Sequence, residues 1–413
     1  MKKLLIFLFA LAIGVASFGQ EQYNNKWYGI KYDPTDAASA VTRIYEDTCA
    51  SIHSKNMLPI QRLMKGCLLY DNGVVNSYLN ATDWTSGSPD LTGSAGQVMV
   101  EIPAHYELFE TVAGWNYAKF CLTYKAGYKY MPKMYVGAFK ATVTSSKMRS
   151  IGNGTTYPTT SFSRTNGRIY AQNRGANWSM ISYQAWKTLY WLYVIEYANR
   201  NCQLAYDPTY TALGYAQGGL GAGVTELASW DGSPSIKCGV SNTIGNFSGA
   251  YTLTGTIRGT STTSTGVPRY RGIESPFGDI WEWMDGISIY HSVSPRASYA
   301  YIIDNPNYFS DNNVNLGKAR AVMSLSLSPG RVTTIVFGPH GDLLPSAIGG
   351  GSTTYWCDYF YTPQNVGTAG WYAPFVGGDA IVGADAGFGY VYSDSGASVT
   401  YTEVGSRLCF LGS

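Results

Sequence analysis

Arg271-Gly272-Ile273-Glu274-Ser275-Pro276-Phe277-Gly278-Asp279-Ile280-Trp281-Glu282-Trp283-Met284 is the stretch on which the reading of this chain turns. Pro276-Phe277-Gly278 punctuates it as a turn, and the aromatic run that follows reads as a strand whose indole rings fill an interior. The carboxylates Glu274, Asp279, Glu282 and Asp285 are close in sequence. A glycosidase pair is defined by separation in space, so spacing along the chain leaves that chemistry open.

Around this stretch lie 413 residues, 45% of them hydrophobic and 14% charged, enough for a large buried core and unlike a disordered composition. The net charge of +2 comes from scattered Lys and Arg, with no basic stripe to follow phosphates, so no nucleic-acid partner is expected. The 34 Tyr, 47 Gly and 11 Trp favour strands and turns over long amphipathic helices.

Lys2 and Lys3, the short apolar run over residues 4–15, and the small Ser17 and Gly19 read as an export signal cut near Gly19. No later stretch is continuously apolar over a membrane-spanning length, so no membrane insertion of the mature chain is expected. No Cys lies near the cut to carry a lipid. The seven cysteines (Cys49, Cys67, Cys121, Cys202, Cys238, Cys357, Cys409) are far apart, with neither CxxC nor metal-ligand spacing, and no pairs are assigned. No cofactor or metal is expected.

Residues 82–96 gather Ser, Gly, Pro and Thr like a linker, which sets an N-terminal region over 20–96 against a main domain over 97–413. Gln97-Val98-Met99-Val100-Glu101-Ile102-Pro103 is a strand closed by proline, and residues 131–136 suggest a second. Trp186, Leu189, Tyr190, Tyr193 and Tyr197 recur at spacings of three and four, which predicts a helix over 182–201 with a core-facing stripe. The Gly218-Gly219-Leu220-Gly221-Ala222-Gly223 run lacks the Lys-Ser/Thr pair of a phosphate cradle.

Catalytic signals are sparse. His53, His105, His291 and His340 stand in separate segments without ligand spacing, and no Gly-x-Ser-x-Gly elbow is present. Gly338-Pro339-His340-Gly341-Asp342 could be a reactive loop or an ordinary turn. No catalytic residue is assigned. In the C-terminal hundred residues polar side chains recur at alternate positions between glycine-rich turns. Val399, Tyr401 and Glu403 would share one face of a strand, either a solvent-facing edge or a binding face.

Three segments together carry a family resemblance. The stretch Arg271–Trp283 resembles the Gly-Asn-Val-Trp-Glu-Trp segment of the formylglycine-generating-enzyme branch of C-type-lectin-like folds. Ile195-Glu196-Tyr197-Ala198-Asn199-Arg200 is similar to its Glu-Tyr-Ala-x-Arg helix, and Gly405-Ser406-Arg407-Leu408 to its final strand. The resemblance implies an α+β fold of that type, strand- and loop-rich with few helices, preceded by a small N-terminal region. The calcium-dependent Glu-Pro-Asn and Trp-Asn-Asp sugar signatures are not present.

Within that branch the C-terminus resembles the variable proteins of diversity-generating retroelements. Trp371, Gly377-Gly378, Ala380, Gly383-Ala384, Ala386-Gly387, Ala397-Ser398 and Gly405-Ser406-Arg407-Leu408 look like fixed framework. Asp379, Ile381, Val382, Asp385, Tyr392, Asp394, Val399, Tyr401 and Glu403 fall where such proteins carry diversified positions, within a variable segment over about 356–403. Trp356, Tyr372 and Tyr401 are the expected aromatic anchors, because rings give large contact area at small entropic cost. The resemblance implies a secreted or cell-surface receptor or adhesin whose partner is a protein or glycan on another cell or surface. Self-association is left open. Leu58-Pro59-Ile60-Gln61 and Val100-Glu101-Ile102-Pro103 also resemble tail-associated proteins of phages of gut Bacteroidetes, which makes a virion tail or structural protein the alternative. A formylglycine-generating-type oxidase is the enzymatic rival, with Cys357 and Cys409 in the right region but not at that family's close spacing.

Overall fold

A computed structural model describes residues 23–46, 57–205, 216, 218–224, 236–255 and 264–412. The expected export signal, Cys49 and His53 lie outside the described residues. Strands dominate, with two α-helices among the described residues, Arg164–Gln172 (α1) and Tyr183–Tyr197 (α2), giving a strand-rich α+β fold.

The Ser182 side chain caps α2 by accepting from the Ala185 amide at 3.2 Å, and Ala198 ends the helix in the left-handed region. Every residue of α2 is buried, so the expected one-sided stripe is instead a helix enclosed all round. Trp191 meets Phe109, Phe337 and Trp356 at centroid distances of 5.4, 5.7 and 5.8 Å, and Tyr190 stacks on Phe388 at 5.6 Å. The loop that looked reactive belongs to this packing. The carbonyls of His340 and Gly341 accept from Lys187 Nζ and Trp191 Nε1, while Asp342 pairs with Arg320 at 2.8 Å.

The boundary expected near Gly96 does not separate two packing units. Lys65–Leu69 pairs with Gln97–Ile102 over Lys65↔Glu101 to Leu69↔Gln97, in a six-stranded sheet continued by Met134–Lys140, Arg407–Leu411 and Trp178–Met180. Tyr28–Tyr32 likewise pairs with Trp115–Cys121 in a five-stranded sheet. Inside the expected linker, Trp84 is fully buried, set edge-on to Phe139 at 6.2 Å and donating to Asn246 Oδ1 at 2.8 Å. Composition misled because loop residues surround one core anchor. Trp84→Ala is expected to cost about 3–5 kcal/mol in denaturant unfolding. A loss below about 1 kcal/mol would instead restore the linker reading.

The segments that carried the resemblance are joined by buried charge. Glu196, near the end of α2, holds Arg271 through two contacts of 2.5 and 3.0 Å. Glu282 accepts from Lys140 Nζ at 2.6 Å and from Arg407 Nη2 at 3.1 Å. Arg407 also donates to the carbonyls of Gly137, Glu274 and Ser275, each at 2.9 Å. The helix, the Trp281-Glu282-Trp283 strand and the Arg407 strand are therefore fixed to one another by charge-assisted hydrogen bonds shielded from water.

A seven-stranded sheet positions the candidate face. Its order is Leu344–Ile348, Gly330–Val336, Tyr359–Tyr361, Gly387–Tyr392, Phe375–Gly377, Trp281–Trp283, Val404–Gly405. Trp283 is fully buried and donates to the Phe162 carbonyl at 3.0 Å, as the core-strand reading of residues 280–284 expects.

Candidate functional site: an aromatic sheet face with a carboxylate rim

Alternation along two neighbouring strands builds the face. Phe360 and Val391 turn inward and are fully buried, so Tyr359, Tyr361, Tyr390 and Tyr392 project from the opposite side of the sheet. Tyr361 and Tyr392 are direct cross-strand partners whose rings stack at 4.6 Å and 8°. Tyr392 stacks in turn on Phe375 of the next strand at 4.5 Å and 9°, giving a three-ring ladder across the strands. Trp281 closes the floor, edge-on to Tyr390 at 4.5 Å and to Phe375 at 5.0 Å. Tyr401 lies beside Phe375 at 6.0 Å and shares a 3.0 Å hydrogen bond between its hydroxyl and Ser395 Oγ. Burial pushes Tyr392 up to about 12 and raises Tyr390, so both remain phenols able to donate at neutral pH.

The acidic candidates rim this floor in different states. Asp379 is buried, accepting from Trp281 Nε1 and from the Ile381 amide at 3.0 Å each, and burial raises its pKa. It fixes the Trp281 ring and the following turn, a framework role instead of an expected ligand contact. Asp385 pairs with Arg331, which also donates to the Cys357 and Ala384 carbonyls. Burial raises Asp394, and burial followed by the nearby Asp394 charge raises the Tyr372 and Tyr392 phenols. Among the candidates, Ile381 is 53% and Val399 36% exposed, whereas Val382, Asp385, Asp394, Tyr401 and Glu403 are half-buried.

Two expectations about geometry are corrected. Val399, Tyr401 and Glu403 do not lie on a strand; residues 393–403 turn and bend before Val404–Gly405. The Ser161 amide bonds to the Tyr401 carbonyl at 2.9 Å, a loop contact, and a ladder begins only where the Trp281 amide bonds to the Glu403 carbonyl at 2.9 Å, at the start of the short parallel pairing of Trp281 with Val404. Trp356 is not a surface anchor. It is 2% exposed, edge-on to Tyr32 and Tyr190 and with Arg200 over its ring, because the apolar bulk of the indole is used in the core. Tyr372 stands apart from the ladder, on the edge strand Gly370–Tyr372 of a four-stranded sheet, against His291 at 4.6 Å. The floor residues Tyr359, Tyr361, Phe375 and Tyr390 were not among the expected site residues. Their signal is the ring-apolar-ring pattern of Tyr359-Phe360-Tyr361 and Tyr390-Val391-Tyr392.

Of the clustered carboxylates near the Trp strand, Glu274, Glu282 and Asp285 are held by named partners. Glu274 accepts from the Gly239 and Ser241 amides at 2.8 Å each, and Asp285 accepts from Arg168 at 2.7 and 2.8 Å. The cations beside Glu282 hold it below the usual carboxylate range despite its burial. Glu274, Glu282 and Asp285 are all buried behind these partners and not open to a glycosidic oxygen. The six described cysteines are buried and none is in a disulfide. Burial pushes the Cys357 and Cys409 thiols up to about 12, away from the thiolate that cysteine chemistry needs. Their surroundings also differ, Cys357 donating to the Thr354 carbonyl and Cys409 pairing across the sheet with Ser179. Among the described residues no group of three or more His, Cys, Asp or Glu could hold a metal ion, and no helix is long and apolar enough to cross a membrane.

A strand-rich α+β protein with an aromatic, carboxylate-rimmed sheet face is the class that fold and site define. No known protein family and no curated protein is matched by the chain. Among solved structures it is similar to PvdO from Pseudomonas aeruginosa, with 10% identity over 77% of this chain and 95% of that one, at a TM-score of 0.30.

Proposed function

We propose that the protein is an exported, receptor- or adhesin-like ligand-binding protein with a C-type-lectin-like fold of the formylglycine-generating-enzyme type. Its C-terminal aromatic face binds a protein or glycan on another cell or surface, and its rim tolerates sequence change. The observation that carries this reading is the Tyr361–Tyr392–Phe375 ladder, held rigid by three adjacent strands, beside the exposed Ile381 and Val399 and the half-buried Val382, Asp394 and Glu403. Rigid rings lose little entropy on binding, while exposed neighbours can change without opening a cavity. Ile381, Val382, Asp385, Asp394, Val399, Tyr401 and Glu403 form the tolerant rim, Tyr392 and Tyr372 are aromatic contacts, and Asp379 and Trp356 are framework.

A library varied at Ile381, Val382, Asp394, Val399 and Glu403 tests this directly. Most members are expected to unfold within about 0.5 kcal/mol of the parent while their binding to arrayed proteins and glycans diverges. Trp356→Ala is expected to lose about 3–5 kcal/mol. A library that mostly fails to fold, or folds with an unchanged binding profile, would overturn the reading.

A further inference from the structure

A cavity of about 450 Å³ lies away from the aromatic face and shares no lining residue with it. Its size is that of a small-molecule site. One wall is the strand Lys129–Met131, at the edge of the five-stranded sheet among the described residues. Met131, Met134 and Leu411 contribute apolar surface, and the polar lining includes Lys129, Asn177, Gln184, Asp304, Asn305 and Asn307.

We propose that this cavity is a second ligand site, for an uncharged saccharide. Three observations point there. Carboxamides converge on the cavity: Gln184 directs its amide to Thr188 Oγ1 at 3.3 Å and Asn305 Oδ1 accepts from the Asn307 amide, whereas the side chains of Asn177 and Asn307 carry both donors and an acceptor, which matches the dual character of sugar hydroxyls. Asn307 is exposed, and its backbone amide is tied to Asn305 Oδ1 at 3.0 Å, so the loop holding it is braced. Tyr130, on the cavity wall, is 54% exposed and lies 5.3 Å from Tyr106, which in turn meets the 73% exposed Tyr124 at 5.9 Å. The exposed Tyr130 ring on the cavity wall, backed by Tyr106, offers an apolar platform for the C–H face of a pyranose.

The charges around the cavity favour a neutral ligand. Lys187 is matched by Glu107 at 2.9 Å, and Arg320 by Asp304 at 2.9 Å and Asp342 at 2.8 Å. Lys129, opposite Glu107 across the strand pair, brings the basic groups to the same number as the acidic ones. An ion entering this site would leave that balance; a saccharide would not, and Lys129 and Asp304 can still bond to its hydroxyls.

The full-length chain is titrated with the methyl glycosides of glucose, galactose, mannose and N-acetylglucosamine, read by saturation-transfer NMR. At least one is expected to bind saturably. Tyr130→Ala and Asn307→Ala, both at exposed positions and checked for folding by thermal melts, are each expected to weaken it by about tenfold or more. Tyr392→Ala, on the aromatic face, is expected to leave it unchanged. No saturable binding by any of the four, or binding that survives both cavity variants, overturns the proposal. Loss confined to Tyr392→Ala also overturns it, and would move saccharide binding to the aromatic face.

Discussion

Glu282→Gln is expected to destabilise the protein by about 3–5 kcal/mol, the cost of removing one partner from a buried ion pair. Its carboxylate stands between Lys140 and Arg407, and all three side chains are buried. Glutamine keeps the shape and loses the charge, so two cations would face one another without a counter-ion in a medium that solvates them poorly. Lys140, whose pKa burial already lowers, is the group that would shed its proton. Urea unfolding at neutral pH should therefore show a large drop in midpoint. Adding Lys140→Met to the same chain should recover part of the loss, because an uncompensated charge is replaced by an apolar group of similar length. A single variant as stable as the parent would mean that water reaches the cluster and screens it.

Asp358→Asn is expected to change the pH dependence of stability by about 4 kcal/mol between pH 4 and pH 7.5. Asp358 is fully buried, and its partners are neutral donors: Tyr190 Oη, the Gly389 amide at 3.1 Å, Gln203 Nε2 at 3.3 Å and Cys202 Sγ at 3.4 Å. Desolvation outweighs those bonds and raises its pKa from 3.8 to about 7. The folded state therefore holds a proton that the unfolded chain has released at intermediate pH. The stability this contributes is complete below pH 3.8, falls as pH rises, and is gone above about pH 7. An asparagine cannot lose that proton. Relative to the parent, the variant should gain stability steadily across this window and stop gaining above it. Denaturant midpoints measured at half-unit pH intervals check this, and a parent-variant difference that stays flat with pH would contradict it.

Much of the fold was legible where a residue type has few structural uses. Tryptophans at Trp281 and Trp283 signalled a buried strand because such large rings seldom remain wholly exposed. The ring spacing over 182–201 signalled α2, although spacing could not reveal that neighbours cover it on every side. Trp84 shows the limit in the other direction, since a core anchor among Ser, Gly and Pro leaves no periodic trace. The candidate site was legible only in part. Resemblance set the segment over 356–403, but whether Trp356 or Tyr392 faces solvent depends on sheets assembled from distant strands. Asp379 likewise looks like any rim carboxylate until Trp281 is brought beside it.

The position of Arg407–Leu411 in the six-stranded sheet sets a schedule for synthesis. This strand lies between Met134–Lys140 and Trp178–Met180, yet follows both by more than two hundred residues. At about 5–20 residues per second, the ribosome leaves the gap between those neighbours open for at least about ten seconds after both have been made. Closure also waits until the rim segment before Arg407 has been translated. A chain cut short or shifted in frame within residues 356–403 lacks the strand and the Arg407 side chain that locks it. Errors in this segment are thereby converted into chains that cannot finish folding.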